Sequence, residues 1–462
     1  MVRIRLFSSA AHGRPRPPIQ LVFGVITALL VASCSSSSAT PASSSSGNAA
    51  GKVTISFESW RPEDKAQWTN VLIPAFEKAY PNIDLQMIVT DPTNYTSAVG
   101  SKLQAGTAGD VVMTVAYDQG LSWYESGFLA DLTNLPGQEN FSALAKGAFT
   151  TDDGKVIYSV PALSVFQGFF YNKDAFAELG LTPPTTEAEF FQVLQAIKAN
   201  GKYTPLAFGD GDAFLLGPST LDNFGPNYYA GETGRQGLIA GTAKFTDPQF
   251  VSVFNVIQKM VPYMPSDPSA VKYADTQSLF ELGKALIFPG GSWEITGFEN
   301  ASKFNIGVFK PFVAKAGDPC YVTDHVDDGW GLNVNSKHPT EAKEFLQWTT
   351  TAEFAGLYSN ALPGLFSLNT AQVTLTDPLA SSFVSWRGSC KTTVRPTYQY
   401  LSRGVPNTTN QEQTVIEGII NGTMTPQQAA QTLQDGLASW YKPGNVPTVA
   451  PYSAPPATPA GS

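Results

Sequence analysis

The chain of 462 residues is acidic, with a formal charge of −9, 15% charged and 42% hydrophobic residues, and 29 Phe, 17 Tyr and 8 Trp. That balance describes a packed globular protein with a surplus of aromatic rings, not a disordered one. Its acidity argues against nucleic acid and against broad contact with anionic lipid, and its length exceeds one ordinary core, so two lobes are the default.

Residues 1–33 stand apart. Arg3, Arg5, Arg14 and Arg16 make a basic start, Ile19 to Ser33 an apolar run, and the run closes on Val31-Ala32-Ser33-Cys34. This is the layout of an export signal. Its ending resembles a bacterial lipobox, which would make Cys34 the lipid-bearing first mature residue. The Ser-rich stretch 34–50 reads as a flexible tether. Residues 1–33 hold four arginines and no acids, so the remainder carries −13. No other stretch reaches the ~18 apolar residues of a membrane span, so membrane contact is expected only through the lipid. Cys320 and Cys390 would share an oxidising compartment. A bridge between them would close a loop of about 70 residues, worth roughly 4 kcal/mol in the chain-entropy model; two free buried thiols are the alternative.

In chain order, Val53–Glu58 predicts a strand, and Pro62-Glu63-Asp64 opens a helix whose apolar stripe (Trp68, Leu72, Ile73, Phe76) has helical spacing. Ile83–Val89 predicts a second strand, Tyr95–Gln104 a helix and Asp110–Ala116 a third strand. This β-α-β-α-β order with short connections implies a doubly wound parallel sheet. Trp60 and Tyr117-Asp118 follow strand ends and should converge on one crevice edge. Lys155–Val160 and Val165–Tyr171 read as two strands parted by Pro161-Ala162. A long helix is expected over Glu187–Ala199, a strand over Thr204–Phe208, and a loop over Gly209–Phe214. Asp324-His325-Val326-Asp327-Asp328 reads as a solvated acidic loop leading into a strand at Gly329–Asn335, since the spacing of a cation-binding loop is absent. Helices close the fold over Gln411–Asn421 and Pro426–Tyr441, and the Pro/Ala-rich segment 443–462 has the composition of a disordered tail.

One stretch organises the rest: Lys284-Ala-Leu-Ile-Phe-Pro-Gly-Gly-Ser-Trp-Glu-Ile295. Ala285–Phe288 is apolar throughout, as in a fully buried strand. Pro289-Gly290-Gly291 should break it, with Ser292 as N-cap of the next helix. Trp293 then stands at a strand-to-helix junction, where α/β folds place ligands. It is either core packing or an apolar platform for a flat-faced ligand such as a sugar ring.

With these residues in view, the chain resembles the family 1 extracellular solute-binding proteins of ABC importers, the maltose-binding-like type. The resemblance runs from Val53 to Tyr441. Its pieces fall in order: Gly109–Met113 with Glu125–Thr133; Tyr158–Pro161 with Gln167–Asp174; Lys284–Ile295; Asp328–Leu332 with Ser336–Thr350; and Asn421–Ala429. The resemblance implies two α/β lobes, each with a doubly wound sheet, joined by a multi-strand hinge and closing on a ligand. The N-lobe would be 51–160 plus 330–357 and the C-lobe 161–329 plus 358–442. Trp293 matches the family's aromatic platform. Trp60 and Arg61 follow the first strand, where the family contacts ligand, with core or rim as the alternative. Asp118 falls at a polar contact after the third strand, where its carboxylate could accept sugar hydroxyls or cap a helix, and Tyr117 stands beside it. Asp212 and Phe214 lie in a loop that often faces the cleft, Trp330 stands at the second crossing, and Gln167 completes the candidates. Val165 is apolar where many relatives carry a polar side chain. The implied partners are a carbohydrate and a membrane permease, with the chain a monomer and no cofactor. A polyol, glycerophosphodiester or short peptide is the runner-up solute.

An exported glycoside hydrolase is the rival, since 38 acids could supply a carboxylate pair. Other chemistries lack residues. Beyond the export signal only His325 and His338 are present, and neither a Gly-x-Ser-x-Gly elbow nor a phosphate-cradling Gly-Lys loop occurs.

Overall fold

The computed structural model describes residues 51–444, so the export signal, Cys34, the tether and most of the 443–462 segment lie outside the described residues. Ten strands are described: β1 (Val53–Ser59), β2 (Ile83–Val89), β3 (Val111–Val115), β4 (Val160–Asn172), β5 (Thr204–Leu206), β6 (Ala285–Gly291), β7 (Ile306–Phe309), β8 (Tyr321–Leu332), β9 (Phe366–Ser367) and β10 (Lys391–Thr393). They form one sheet in the order β2-β1-β3-β8-β4-β6-β5, with β7 and β9 also on β4 and β10 also on β8. The two outer portions are parallel, β2-β1-β3 and β6-β5. Between them β8 and β4 run antiparallel to each other, β8 antiparallel to β3 and β4 antiparallel to β6, while β10 pairs with β8 in parallel.

Two hydrophobic cores flank this middle, one for each lobe. The crossing is visible within single strands. On β4, Val160 to Val165 pack in the first core and Phe166 to Phe170 in the second. On β8, Val322 belongs to the second core, and Val326, Trp330 and Leu332 to the first. Within the second core Cys320 is bonded to Cys390, joining the segments that enter β8 and β10.

Several expectations change. Of the stretch foreseen as a strand at 155–160 only Val160 lies in one, Ile157 making an isolated bridge to Thr150, and the strand foreseen at 165–171 starts earlier, as β4. Its pairing with β8 absorbs Pro161-Ala162 through register shifts on either side of Leu163, a bulge of the kind that bends a strand. The helix after β1 starts at Lys65 and passes through a π-turn at Trp68–Leu72 before resuming over Ile73–Ala79. Trp68 is in the core, ringed by Phe57, Phe345, Phe354 and Tyr358. Asp324 to Asp328 are not a solvated loop. They lie inside β8, and Asp324, His325 and Asp328 are fully buried. Arginines remote in the chain neutralise them: Arg387 donates to Asp324 and Arg61 to Asp327.

Candidate functional site

A recess of about 770 Å³, counted out into open solvent, lies where the two lobes meet. Part of its lining comes from the segments that follow the parallel strands: Trp60, Arg61 and Glu63 after β1, Pro92, Tyr95 and Thr96 after β2, and Val115 at the end of β3. Phe214, Tyr273, Trp293, Asp327, Arg395 and Tyr398 complete the lining, and Trp293 packs in the first core. Ligands of open α/β sheets bind beyond these carboxyl ends.

Trp293 is set by its own motif. β6 runs on through Pro289 to Gly291, paired with Phe169, Gly168 and Gln167 of β4. A Cβ on Gly291 would come within 1.9 Å of the Trp293 ring, so only glycine lets the indole lie back on the strand. The indole Nε1 donates to Glu294 Oε1 at 3.0 Å and to the Tyr273 hydroxyl at 3.1 Å, and that hydroxyl donates to Glu294 at 2.7 Å. Burial pushes the Glu294 carboxyl up to about 7 despite hydrogen bonds from Gln277, Tyr273 and Trp293. Ser292 caps no helix. Its hydroxyl accepts from the Phe166 amide and donates to the Gly364 carbonyl, tying three segments together next to Trp293. Trp60 lies edge-on to Tyr95 at 5.0 Å.

The charges are arranged in depth. Burial opposes the charge on Arg61, but Asp327, Asp64 and Asp328 outweigh it and raise its pKa. Its Nη2 donates to Asp327 at 2.8 Å. Burial also works against the Asp327 carboxylate, yet His325 and Arg61 hold it below the usual carboxylate range. Asp64 and Asp328, behind Arg61, are pushed up by burial. The recess is therefore lined by aromatic side chains together with charged and hydrogen-bonding groups, a composition that suits polar molecules with apolar faces.

Of the residues singled out from the sequence, Trp60, Arg61, Phe214 and Trp293 line the recess. The others do not. Tyr117, held at φ 66°, has its ring 5.7 Å from Tyr398. The Asp118 carboxylate is occupied by the Tyr400 and Ser402 amides and by Arg403. Asp212 accepts from the Tyr273 amide at 3.0 Å. Gln167 is fully buried, with its amide turned to donate to the Pro218 and Gly290 carbonyls, each 3.1 Å away. Trp330 is 1% exposed within the ring cluster of Trp68, Phe345, Phe354 and Tyr358, which is packing at the crossing. Sequence reasoning missed Glu63, Tyr273, Asp327, Arg395 and Tyr398. Glu63 and Asp327 carried a signal, as acids beside a strand end and within an apolar-flanked run; Arg395 and Tyr398 follow a three-residue strand with no local pattern.

The pattern of the bacterial extracellular solute-binding proteins matches residues 59–355. A multiple sugar-binding protein of Streptococcus mutans is 26% identical over 340 residues, 71% of this chain and 76% of that protein. An uncharacterized ABC transporter extracellular-binding protein of Pyrococcus horikoshii is 23% identical over 395 residues, 81% of this chain and 85% of its own. Among solved structures, a chitin oligosaccharide binding protein superimposes with a TM-score of 0.70 at 21% identity, covering 84% of this chain and 98% of its own. A raffinose complex of a solute-binding protein does so at 0.67 and 23%, covering 84% and 99%. These superpositions establish the two-lobe fold. With the family pattern spanning well over half of its residues, the chain belongs to the bacterial extracellular solute-binding proteins.

Proposed function

We propose that this protein captures a sugar or oligosaccharide for an ABC importer, in the recess between its lobes, and delivers it to a membrane permease. The observation that carries this reading is a recess lined by the aromatic side chains of Trp60, Tyr273 and Trp293 together with the charged groups of Asp327 and Arg395. Sugar rings have apolar faces that stack on indole and hydroxyl edges that take hydrogen bonds. The relative named for binding multiple sugars supports the same class. Membership of this family makes the chain a binding protein, not an enzyme.

In this account the lobes are 51–160 plus 330–357 and 161–329 plus 358–442. They close about β4 and β8, the strands that pass from one core to the other. Cys34 carries a lipid that holds the protein at the outer face of the membrane, with residues 34–50 as its tether. No described helix is long and apolar enough to cross a membrane.

A thermal-shift and calorimetric screen of the mature protein against mono-, di- and oligosaccharides, polyols and glycerophosphodiesters tests the proposal. A solute at 100 times its dissociation constant stabilises the native state by about 2.7 kcal/mol. A sugar that binds and is recovered unchanged supports it. Response to a phosphodiester or peptide alone would replace the solute class.

A further inference from the structure

The buried arginines of this fold engage their donors internally, with one exception. Arg235 donates to Glu232 and Gln399, Arg387 to Asp324 and Ser164, and Arg61 to Asp327. Arg395 donates no hydrogen bond among the described residues, although its side chain is only 13% exposed and lines the recess. Its Nε, out of contact with solvent, has no hydrogen-bond partner. A guanidinium carries five donors in a fixed fork; nearby carboxylates offset the cost of burying its charge, but its N–H groups give up water without gaining an internal hydrogen bond.

The group is nevertheless held firmly. It lies over the Tyr398 ring at 5.3 Å. Asp222 Oδ2 sits 3.5 Å from Nε, near enough for charge attraction without a hydrogen bond. Glu412, on the helix Thr408–Ile420, stands behind. A Cβ on Gly217 would come within 2.7 Å of Glu412 Oε1 and 3.0 Å of Asp222 Oδ2, so the two carboxylates share the niche that this glycine leaves. Both are fully buried, and each has an oxygen without a hydrogen-bond partner. Asp222, Asp327 and Glu412 all act on Arg395, while burial pushes the Asp222 carboxyl up to about 6 and that of Glu412 well above the usual carboxylate range. The side chain is restrained from behind by charge and from one face by a ring, while its donors remain unengaged.

We propose that Arg395 is the specificity-determining donor of the recess, presenting its fork to a pair of adjacent oxygen acceptors on the solute, with Asp222 and Glu412 as its positioning residues. This rests on the solute-binding reading above and adds the acceptor pattern the solute must carry. Vicinal sugar hydroxyls or the carboxylate of a uronic acid supply such a pair.

The test is calorimetry on the wild-type protein, Arg395→Gln, Arg395→Lys and Glu412→Gln. The probes are galactose and galacturonate, glucose and glucuronate, raffinose, and single-deoxy analogues of whichever of these binds. Arg395→Gln is expected to weaken the responsive solute roughly 10- to 100-fold, as for loss of a charged hydrogen-bond donor, with Lys failing to restore the fork. One deoxy analogue should bind the wild type about as weakly as the parent binds Arg395→Gln, and that variant should no longer distinguish the two. Glu412→Gln should narrow the same discrimination, which a change in stability alone would leave intact. Tighter uronate binding identifies a carboxylate as the acceptor pair; preference for the neutral sugar identifies vicinal hydroxyls. A solute that binds Arg395→Gln as tightly and as selectively as the wild type overturns this inference while leaving the solute-binding reading standing. Should the variants fail to fold, equal wild-type affinity for parent and every deoxy analogue overturns it too. Absence of binding by every probe to the wild type overturns both.

Discussion

Asp118 and Arg403, 285 residues apart in the chain, are joined by a 2.6 Å hydrogen bond between Oδ1 and Nε. The same carboxylate accepts from the Tyr400 and Ser402 amides, while Arg403 also grips Asp152. Asp118 follows β3, whose side chains pack in the first core; Tyr400 and Leu401 pack in the second. The contact is therefore a strap between lobes, and it holds Tyr117 and Tyr400, both at positive φ, in conformations that L-residues seldom adopt. Asp118→Ala should cost about 1–3 kcal/mol of stability, the range for removing a buried charged acceptor, and weaken solute affinity without altering which solute is preferred. Melting curves and calorimetry check this; an unchanged melting temperature would contradict it.

Trp293 and Trp330 should separate cleanly. Trp293→Ala is expected to cost about 2 kcal/mol or more of solute affinity, as central aromatic contacts do, with a smaller loss of stability. Trp330→Ala should cost about 3–5 kcal/mol of stability, the range for emptying a core site of its ring. Denaturant unfolding with and without solute distinguishes the two. The reverse pattern would exchange their roles.

The Glu294 carboxyl titrates near 7 in the folded protein, against an ordinary value of 4.5. Its folded pKa is raised, so the native state holds the proton more tightly than the unfolded chain. The stabilising contribution is complete below pH 4.5 and declines as pH rises through 7. Wild-type stability minus that of Glu294→Gln should therefore fall across this window, by up to about 3 kcal/mol. Urea melts of both proteins at pH 4.5, 6 and 8 measure the difference; a flat difference would contradict the assignment.

Reduction of Cys320–Cys390 should lower stability by roughly 4 kcal/mol, since the bond closes a loop spanning a sequence separation of 70. It should also weaken solute binding, because the bond anchors the segment that carries Arg395 and Tyr398 into the recess. Parallel melts and titrations with and without a reductant test both effects.

What the sequence disclosed follows local periodicity. The alternation of β1, β2 and β3 with helices, and the Gly-Gly-Ser-Trp junction, are patterns within a few residues, and the recess forms where they end. The acidic stretch 324–328 was misread because its burial depends on Arg61 and Arg387, far along the chain. No window of sequence contains both partners of those pairs. Trp330 was placed at the correct crossing, but its direction was hidden: strand side chains alternate faces, and which face meets the core rests on pairing with β3 and β4. Asp118 was noticed as a polar group at a strand end, yet its partners come from residues 400–403. Arg395 left no trace, since what distinguishes it is the lack of an internal hydrogen-bond acceptor among the described residues.

The most direct measurement is calorimetric titration of the mature protein with the sugar panel, repeated on Trp293→Ala. The account predicts that at least one sugar binds, is recovered chemically unchanged, and loses most of its affinity in the variant. A protein that binds no sugar, or binds one equally well without Trp293, would contradict it.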